Sequence, residues 1–203
     1  MFDLDDTLHY ASPEIFKIIN EDMTCFIMKH LKINKEKANE IRQNYWHKYG
    51  STLRGLMNNH QVNPKKFLSE THNLKKIESL IHSEKSLPRI LRNIKSDKVI
   101  LTNAPKEYAT FILEKIKVKK MFKKIICIED NSFYSKPNLK IFKKIKAFGY
   151  KNYVMIDDSI DNIKSAKICN FKTVHISNIK KNSKYIDYSI KKINELLKIK
   201  FIN

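Results

Sequence analysis

The sequence contains few of the residues that interrupt regular structure. Of 203 residues, three are glycine and five are proline, and no Pro/Gly/Ser-rich stretch typical of a flexible linker is present. No internal repeat is visible. A chain of this length suits one domain with a sizeable insertion and can bury roughly 70% of its unfolded surface. Because 42% of the residues are hydrophobic, a real core is expected and global disorder is excluded.

Cysteine is also scarce. Cys25, Cys127 and Cys169 are isolated from one another, and no CxxC pair occurs. An odd and scattered set of thiols argues against a disulfide framework and against a zinc site. We therefore expect a protein of the reducing cytoplasm.

Long hydrophobic runs are missing. The longest apolar stretches, such as Val99–Leu101 and Ile125–Ile128, are far too short to cross a bilayer. Near the N-terminus, three aspartates occupy the positions where a signal peptide has a basic start and an apolar run: Asp3, Asp5 and Asp6. We expect neither a membrane span nor a secretory signal.

Arginine is rare in an otherwise basic chain. Lysine and arginine together number 40 against 21 acidic residues, for a net charge of +19, yet only four are arginine. Sequence-specific nucleic-acid readers and phosphate clamps favour arginine for its bidentate fork. The lysines are spread along the chain. This distribution favours a compositional bias of the coding sequence, in which lysines occupy solvent-exposed faces without a specific function. A functional surface for a polyanion is the alternative.

Residues 13–83 carry helical patterns and no convincing strand pattern. Ser12 and Pro13 suggest a helix start, with Ser12 as the N-cap, and apolar residues at helical spacing continue to about Leu31. A second helix is predicted over 34–49, ending at Gly50. Shorter helices are predicted over 52–59, 64–72 and 75–81. This segment is predicted to form one compact helical unit.

The rest of the chain alternates strands with helices. Strands are predicted over 1–4, 98–101, 124–128, 153–156 and 172–176. Helices are predicted over 88–94, 106–116, 138–147 and 160–168, with a terminal amphipathic helix over 190–199. This alternation predicts an α/β fold, a Rossmann-like parallel sheet core with helices on both faces. The core comprises residues 1–12 and 84–203, and the helical unit 13–83 is inserted after the first strand.

Polar residues follow the predicted strands. Asp3 and Asp5 lie at the end of the first strand, Thr102 follows the second, and the pair 157–158 follows the fourth, while Lys136 lies in the loop after the third. In parallel sheets, ligands bind beyond the carboxyl ends of the strands. Each residue alone suits a turn, a helix cap or a charged surface, but their joint placement at one edge of the sheet predicts a site.

The residue types at this edge indicate phosphoryl transfer. Neighbouring carboxylates repel one another unless a cation lies between them, and oxygen ligands of this kind suit Mg²⁺. One aspartate can attack phosphorus covalently, and a second aspartate two residues on can protonate the leaving oxygen and activate water. Thr102 and Lys136 can bind and neutralise phosphoryl oxygens.

Four segments resemble the motifs of the haloacid dehalogenase-like hydrolases: Phe2–Leu8, Ile100–Asn103, Lys136–Pro137, and Val154–Ser159 with Asn162. The resemblance spans nearly the whole chain. It implies an aspartyl-phosphate mechanism with Mg²⁺ as cofactor.

The resemblance also implies roles for individual residues. Asp3 is the nucleophile and a metal ligand, and Asp5 is the acid/base, whose backbone carbonyl also binds the metal. Asp158 is the main metal ligand of the fourth motif, and Asp157 assists it directly or through water. Asn162 orients that loop. Thr102 and Lys136 complete the catalytic set.

The helical insertion resembles the cap that follows the first motif in one branch of this superfamily. Similarity to the bacterial pyrimidine 5′-nucleotidase group lies in residues 23–24, 45–46, 49–56, 71–72, 101–105 and 128–130. The implied reaction is hydrolysis of UMP- or CMP-like monophosphates to nucleoside and phosphate. The expected partner is thus a small phosphorylated metabolite, for a protein that is a monomer or a dimer.

The candidate substrate-binding residues are Asn103, Tyr49, Ser51, Thr52 and Arg54. Simpler roles remain open for residues of this region. Tyr45, Trp46 and Tyr49 could equally be core packing, and Ser51 could be a helix cap. Histidines 9 and 72 could touch substrate or be purely structural.

Two other functions compete with the nucleotidase interpretation. One is a broad sugar-phosphate phosphatase or mutase that uses the same machinery. The other is a basic nucleic-acid-binding module on the same scaffold, which predicts salt-sensitive binding to long nucleic acid. The complete set of catalytic motifs argues against the second, and we expect no specific nucleic-acid partner.

Overall fold

The chain folds into a parallel β-sheet with helices on both faces and a group of helices inserted near the N-terminus. The computed structural model describes residues 1–179, 182–200 and 202. The strands are β1 (Val99–Leu101), β2 (Lys124–Ile126), β3 (Val154–Asp157), β4 (Lys172–Ile176) and β5 (Tyr188–Ile190). Strand β1 pairs with β2, β3 with β4, and β4 with β5, all in parallel.

The first residues of the chain join the two halves of this sheet. Phe2 forms parallel bridges to Ile100 of β1 and to Ile156 of β3. Its N–H donates to Val99 O at 2.8 Å, and Asp3 N–H donates to Ile156 O at 2.9 Å. The order across the sheet is therefore β2, β1, the N-terminal residues, β3, β4 and β5. This order places Asp3 at the carboxyl edge of the centre of the sheet.

Helices cover both faces of the sheet. They are α6 (Leu87–Asn93), α7 (Lys106–Lys115), α8 (Leu139–Lys146) and α9 (Ile160–Ile168). Since successive strand residues point to opposite faces, β1 divides its side chains: Ile100 packs in the cluster with α6 and α7, and Leu101 packs in the cluster with α8 and α9. The two clusters form the core above and below the sheet and confirm the predicted fold class.

The helices between the N-terminal residues and α6 form what we call the helical segment, residues 13–83. They are α1 (Glu14–Leu31), α2 (Lys35–Tyr49), α3 (Thr52–His60), α4 (Pro64–Thr71) and α5 (Leu74–Ile77), with a 3₁₀ turn over Glu78–Leu80. Side chains that favour N-caps begin several of them, such as Asn34 before α2 and Ser51 before α3. Gly50 ends α2 with a φ of 78°, a left-handed conformation that glycine adopts without strain.

Helix α1 belongs to two hydrophobic clusters. Ile15 and Ile19, in its first half, pack into the cluster on one face of the sheet. Phe26 and Ile27, in its second half, pack with the other helices of the helical segment. The same cluster includes Ile128, which follows β2. The helical segment is thus anchored to the sheet domain at the start of α1 and at the loop after β2.

Two sequence-based expectations are wrong in detail. The predicted terminal helix over 190–199 is instead the end of β5 followed by a 3₁₀ helix, Ile193–Lys198. Ser12 does not cap α1, because its hydroxyl donates to Asp6 Oδ2 at 2.5 Å and Pro13 occupies the N-cap position. Over the described residues, no helix combines the length and the apolar character that crossing a membrane requires.

Candidate active site

The turn after the N-terminal residues presents Asp3 and Asp5 at the sheet edge. Leu4 O accepts the N–H of Leu8 at 2.9 Å and, at longer range, those of the two flanking residues. Asp6 has a φ of 54° and accepts the N–H groups of Ala11 and Ser12, both at 2.9 Å. The Asp6 carboxylate therefore holds the returning chain.

Lys136 lies between two carboxylates. Its Nζ is 2.8 Å from Asp3 Oδ1 and 2.7 Å from Asp157 Oδ2. The Lys136 side chain is 1% exposed and that of Asp157 is 0% exposed. Charges so deeply buried persist only when they are paired, so the three side chains fix one another's positions.

The Asp157 carboxylate has further donors. Asn162 Nδ2 lies 3.0 and 3.1 Å from its two oxygens, and Ser159 N–H donates to Oδ1 at 2.9 Å. With Lys136, these contacts use most of its acceptor capacity. Asp158, the next residue, is only half-buried, and its backbone carbonyl accepts from His175 at 2.9 Å. The Asp158 carboxylate is therefore the freer of the two for an outside ligand.

Burial and mutual repulsion perturb these groups. Burial raises the pKa of Asp3 well above its usual range, Lys136 opposes this, and Asp157 adds to it. Burial, Asp157 and Asp6 raise the pKa of Asp158 to about 7. Burial alone would lower the pKa of Lys136, but the two carboxylates beside it outweigh burial and raise it. The raised pKa values indicate that the carboxylates, when all are ionised, carry more negative charge than one ammonium can neutralise.

Three carboxylates are placed to share one cation. Oxygens of Asp3, Asp157 and Asp158 lie within 4.8 Å of one another. When all three are ionised, these carboxylates beside the single ammonium of Lys136 leave an excess of two negative charges. An all-oxygen donor set with this charge fits a hard divalent cation such as Mg²⁺.

Thr102 and Asn103 follow β1 on the same edge. Thr102 is buried, and its Oγ1 accepts the Ala104 N–H at 3.0 Å. The Asn103 amide accepts the Lys136 N–H at 2.7 Å and donates to the Lys136 carbonyl at 3.0 Å. The Asn103 amide therefore holds the main chain of Lys136 in place.

Asp5 lies apart from the three-carboxylate cluster. Its Oδ1 is 2.8 Å from His9 Nε2 and accepts the Tyr108 hydroxyl at 2.7 Å. Burial and the proximity of Asp5 raise the pKa of Tyr108, so the phenol remains a hydrogen-bond donor. The Asp5 carboxylate thus contacts a different set of partners from Asp3, only two residues away.

A cavity of about 740 Å³ lies between the sheet edge and the helical segment. Its core side includes Asp3, Asp5, Thr102, Asn103 and Asp158. Its opposite side includes Met23, Arg42, Trp46, Ser51 and Thr52. A cavity of this size can enclose a small metabolite. The cavity thus brings together residues that are distant in sequence but were predicted to form one site.

Two of the predicted substrate-binding residues lie elsewhere. Tyr49 and Arg54 are not among the described residues that line the cavity. Tyr49 Oη accepts from Asn59, and the Arg54 guanidinium stacks 4.0 Å from the Tyr134 ring centroid and donates to its hydroxyl. Arg54 instead joins the helical segment to the loop that leads to Lys136.

Ser51 and Thr52 do line the cavity, but both already serve the fold. Ser51 Oγ accepts the Arg54 N–H at 3.2 Å and caps α3. The Thr52 hydroxyl donates to the Arg42 carbonyl at 2.9 Å and is buried. Their predicted contact with substrate stays a prediction.

Sequence analysis left Trp46 open between core packing and substrate contact, and it missed Arg42, Gln43 and His47 on the same face of α2. Arg42, Gln43, Trp46, His47 and Gly50 all line the cavity. Their spacing of one, three or four residues is that of one helical face and could have been found from the sequence. Arg42 Nη1 donates to Asn20 at 2.9 Å, while its Nε is buried with no partner among the described residues.

The chain matches a known family over most of its length. The family described as haloacid dehalogenase-like hydrolase matches residues 1–170. Among curated proteins, "Phosphate metabolism protein 8" of Saccharomyces cerevisiae is 24% identical over 185 residues. That match covers 81% of this chain and 57% of the yeast protein, so the chain spans little more than half of that relative.

Solved structures show the same fold. The "HAD phosphatase from Thermococcus onnurineus" superposes with a TM-score of 0.68 at 21% identity, covering 97% of this chain and 94% of the other. A "predicted phosphoglycolate phosphatase from haemophilus somnus" gives a TM-score of 0.65 at 18% identity, covering 97% and 95%. Together with the match over residues 1–170, the order and geometry of the site assign this chain to the haloacid dehalogenase-like hydrolases.

Proposed function

We propose that this chain is a Mg²⁺-dependent phosphomonoester hydrolase that works through an aspartyl-phosphate on Asp3. The observation that carries the proposal is the placement of Lys136, 2.8 Å from Asp3 and 2.7 Å from Asp157, beside the third carboxylate of Asp158. This arrangement offers a nucleophile, a fixed positive charge and a cation site at one end of the cavity.

In the first step, Asp3 attacks phosphorus. A carboxylate oxygen of Asp3 forms the new bond, and the bond from phosphorus to the leaving oxygen breaks. Asp5, which also lines the cavity, gives its proton to that oxygen. The products are the alcohol and the phosphoryl group on Asp3.

In the second step, water releases the phosphate. Asp5 takes a proton from the water as its oxygen attacks phosphorus, and the electron pair of the broken bond returns to Asp3. Asp5 thereby replaces, with a proton from water, the one that it gave to the alcohol in the first step. Its separation from the Asp3 cluster, with its own hydrogen-bond partners, suits a group that must exchange protons.

The phosphoryl oxygens need positive charge and hydrogen bonds. Lys136 supplies the charge next to the nucleophile, and Asn103 fixes its main chain. Thr102 lies at the same edge and can donate its hydroxyl to a phosphoryl oxygen. A bound Mg²⁺ would supply further charge neutralisation at these oxygens. Asp3 and Asp158 are its proposed ligands, and Asp157 orients the site through Lys136 and Asn162.

The same family name covers displacement of halide from carbon. A departing halide needs no proton, so that chemistry would use Asp5 to activate water but not as the proton donor of the first step. An excess of two negative charges beside the nucleophile also suits a cation–phosphate pair better than a halocarbon. The name of the yeast relative, which refers to phosphate metabolism, is consistent with a phosphatase.

We propose pyrimidine nucleoside monophosphates, UMP or CMP, as the substrates. Trp46 lines the cavity while 59% exposed, which suits an aromatic surface that stacks on a base. Arg42 and Gln43 on the same helical face can meet base or sugar oxygens. A sugar phosphate is the second candidate, because the hydrogen-bonding residues Arg42, Gln43 and Ser51 also suit hydroxyl groups.

The helical segment is proposed to act as a cap over the substrate. On this division, residues 1–12 and 84–203 form the catalytic core, and residues 13–83 form the cap. The contacts of Gly50 with Ser135 and of Arg54 with Tyr134 join the two. The three free cysteines support a cytoplasmic location.

A substrate screen with and without EDTA tests the proposal. The panel contains p-nitrophenyl phosphate, UMP, CMP, purine mononucleotides and sugar phosphates. We expect EDTA-sensitive release of phosphate, fastest from UMP or CMP. Asp161→Asn, an exposed position on the first turn of α9, is the matched control for aspartate variants.

Other outcomes would revise the proposal. Reaction of sugar phosphates alone would overturn the nucleotide assignment. No release from any ester, with salt-sensitive retention of long nucleic acid on a filter, would favour the nucleic-acid-binding module.

A further inference from the structure

Asp5 is held through one of its two carboxylate oxygens. Tyr108 Oη–H donates to Oδ1 at 2.7 Å, and His9 Nε2 lies 2.8 Å from the same oxygen. Among the described residues, Oδ2 has no hydrogen-bond partner. The Asp5 side chain is 16% exposed and lines the cavity. One oxygen is thus engaged by the protein, while the other is left to the cavity.

Both donors are rigidly placed. Tyr108 lies in the first turn of α7 and is 1% exposed. Its ring contacts His9 at 6.4 Å and His72, from the helical segment, at 5.6 Å between centroids. The His9 side chain is 0% exposed. The turn that begins at Leu4 brings His9 back to form a backbone bridge with Asp5.

The two contacts decide which oxygen can carry a proton. A carboxylate oxygen has two lone pairs, and Oδ1 uses them for Tyr108 and His9. A proton on Oδ1 would displace one of these buried donors, which would leave a donor unsatisfied at a cost of about 1–3 kcal/mol. A proton on Oδ2 disturbs neither contact.

We propose that Tyr108 and His9 are positioning residues that engage Oδ1 of Asp5, so that Oδ2 is the atom that gives and takes the catalytic proton. The inference rests on the proposed function, in which Asp5 is the acid and base. In the first step the proton on Oδ2 moves to the leaving oxygen as the phosphorus–oxygen bond breaks. In the second step Oδ2 receives a proton from the attacking water.

Leaving groups of different basicity test this role. The constant kcat/KM reports only the steps up to transfer of the phosphoryl group to Asp3. An alkyl ester such as UMP needs a proton on its leaving oxygen, whereas p-nitrophenolate leaves with little help. We expect Tyr108→Phe to lower kcat/KM for UMP about tenfold or more and for p-nitrophenyl phosphate by less than about threefold.

The same variant should expose the second step. Water activation needs Asp5 whatever the leaving group was. With p-nitrophenyl phosphate, transfer to Asp3 stays fast while hydrolysis of the aspartyl-phosphate slows. Stopped-flow absorbance should therefore show a burst of nitrophenolate in Tyr108→Phe that exceeds any burst in the wild type.

Variants at His9 provide rescue and contrast. His9→Leu removes the second donor and should show the same leaving-group dependence. His9→Gln places an amide N–H near the position of Nε2 and should restore part of the UMP activity. Tyr153→Phe is the matched control, because Tyr153 is also a buried tyrosine with one donated hydrogen bond, to Lys146 O, in the cluster on the α8–α9 face. It should behave as the wild type.

The outcomes separate this inference from the proposed function. If the wild type cleaves no phosphomonoester, or if Asp3→Asn retains full activity, the proposed function itself fails. If Asp3→Asn is inactive but Tyr108→Phe lowers kcat/KM equally for both esters, or for neither, only the inference is overturned. A general loss of structure would also lower kcat/KM equally for both esters. Circular dichroism and thermal unfolding of each variant identify such a loss.

Discussion

Replacing Asp158 by asparagine should stabilise the metal-free protein while removing its response to Mg²⁺. Asp158 carries a pKa raised to about 7 by burial, by Asp157 and by Asp6. Its ionised form is therefore unfavourable in the folded state. Asparagine has nearly the same shape and no charge, so the substitution removes the repulsion without creating a cavity.

The size of the effect follows from the pKa. A rise from 3.8 to about 7 corresponds to about 4 kcal/mol if it is fully expressed. Water and local relaxation reduce such values in a site that is not completely buried. We expect a gain of about 1–2 kcal/mol, or roughly 2–8 °C in Tm for a chain of this size.

The gain has a defined pH dependence. Between about pH 4 and pH 7 the folded wild type binds more protons at Asp158 than the unfolded chain does, so its stability falls as the pH rises through this window. The Asp158→Asn variant lacks this loss. The difference in Tm between variant and wild type, measured in EDTA, should grow from pH 4 to pH 7 and then stay constant.

Added Mg²⁺ should make the wild type more stable than the Asp158→Asn variant. Binding to the folded wild type at one hundred times Kd stabilises it by about 2.7 kcal/mol, and the variant lacks a ligand. Differential scanning fluorimetry in EDTA and in Mg²⁺ measures the Tm of variant and wild type under both conditions. Asp161→Asn is the control for the loss of a nearby negative charge. The reasoning would be refuted if Asp158→Asn had a lower Tm than the wild type in EDTA at pH 8. It would also be refuted if Mg²⁺ raised the Tm of the variant as much as that of the wild type.

Three further variants test other parts of the site. Asn103→Ala removes two hydrogen bonds to the main chain of Lys136 and should lower kcat/KM about tenfold. The control Asn138→Ala loses only the cap of α8 and should leave kcat/KM unchanged. Gly55→Ala should destabilise the fold by about 1–3 kcal/mol, because a Cβ there would lie 2.3 Å from the Tyr45 ring and 2.4 Å from the Tyr45 Cβ. Thermal unfolding measures this loss, and Tyr45→Ala, which keeps the Cβ, should not abolish it. Trp46→Ala should raise KM for UMP about tenfold and leave KM for p-nitrophenyl phosphate nearly unchanged, with the partly exposed Tyr150→Ala as control.

The strand ends were predictable because parallel strands bring their carboxyl ends to one edge. Asp3, Thr102 and Asp158 could be grouped from the sequence for that reason alone, and the structure does bring them to one cavity. Helix α9, Ile160–Ile168, matches its predicted bounds. Strand β5 was missed because Tyr188–Ile190 is only three residues long and apolar residues at helical spacing follow it.

Contacts between side chains of distant segments were beyond sequence reasoning. The hydrogen bond from Tyr108 to Asp5 joins residues 103 positions apart, and it depends on how α7 lies against the first turn. Arg54 was expected in the substrate site, but it stacks on Tyr134. In both cases the packing of two distant elements decides which partner the side chain contacts. The local sequence pattern contains no information on that packing.

The most direct test of the central claim is the detection of a phosphoryl group on Asp3. Enzyme mixed with p-nitrophenyl phosphate and Mg²⁺ is quenched in acid during turnover, digested and analysed by tandem mass spectrometry. The account predicts one hydroxylamine-sensitive phosphoryl group on Asp3, which is absent in Asp3→Asn, while Asp161→Asn is labelled as in the wild type. Turnover with no label on Asp3, or a label on another residue, would contradict it.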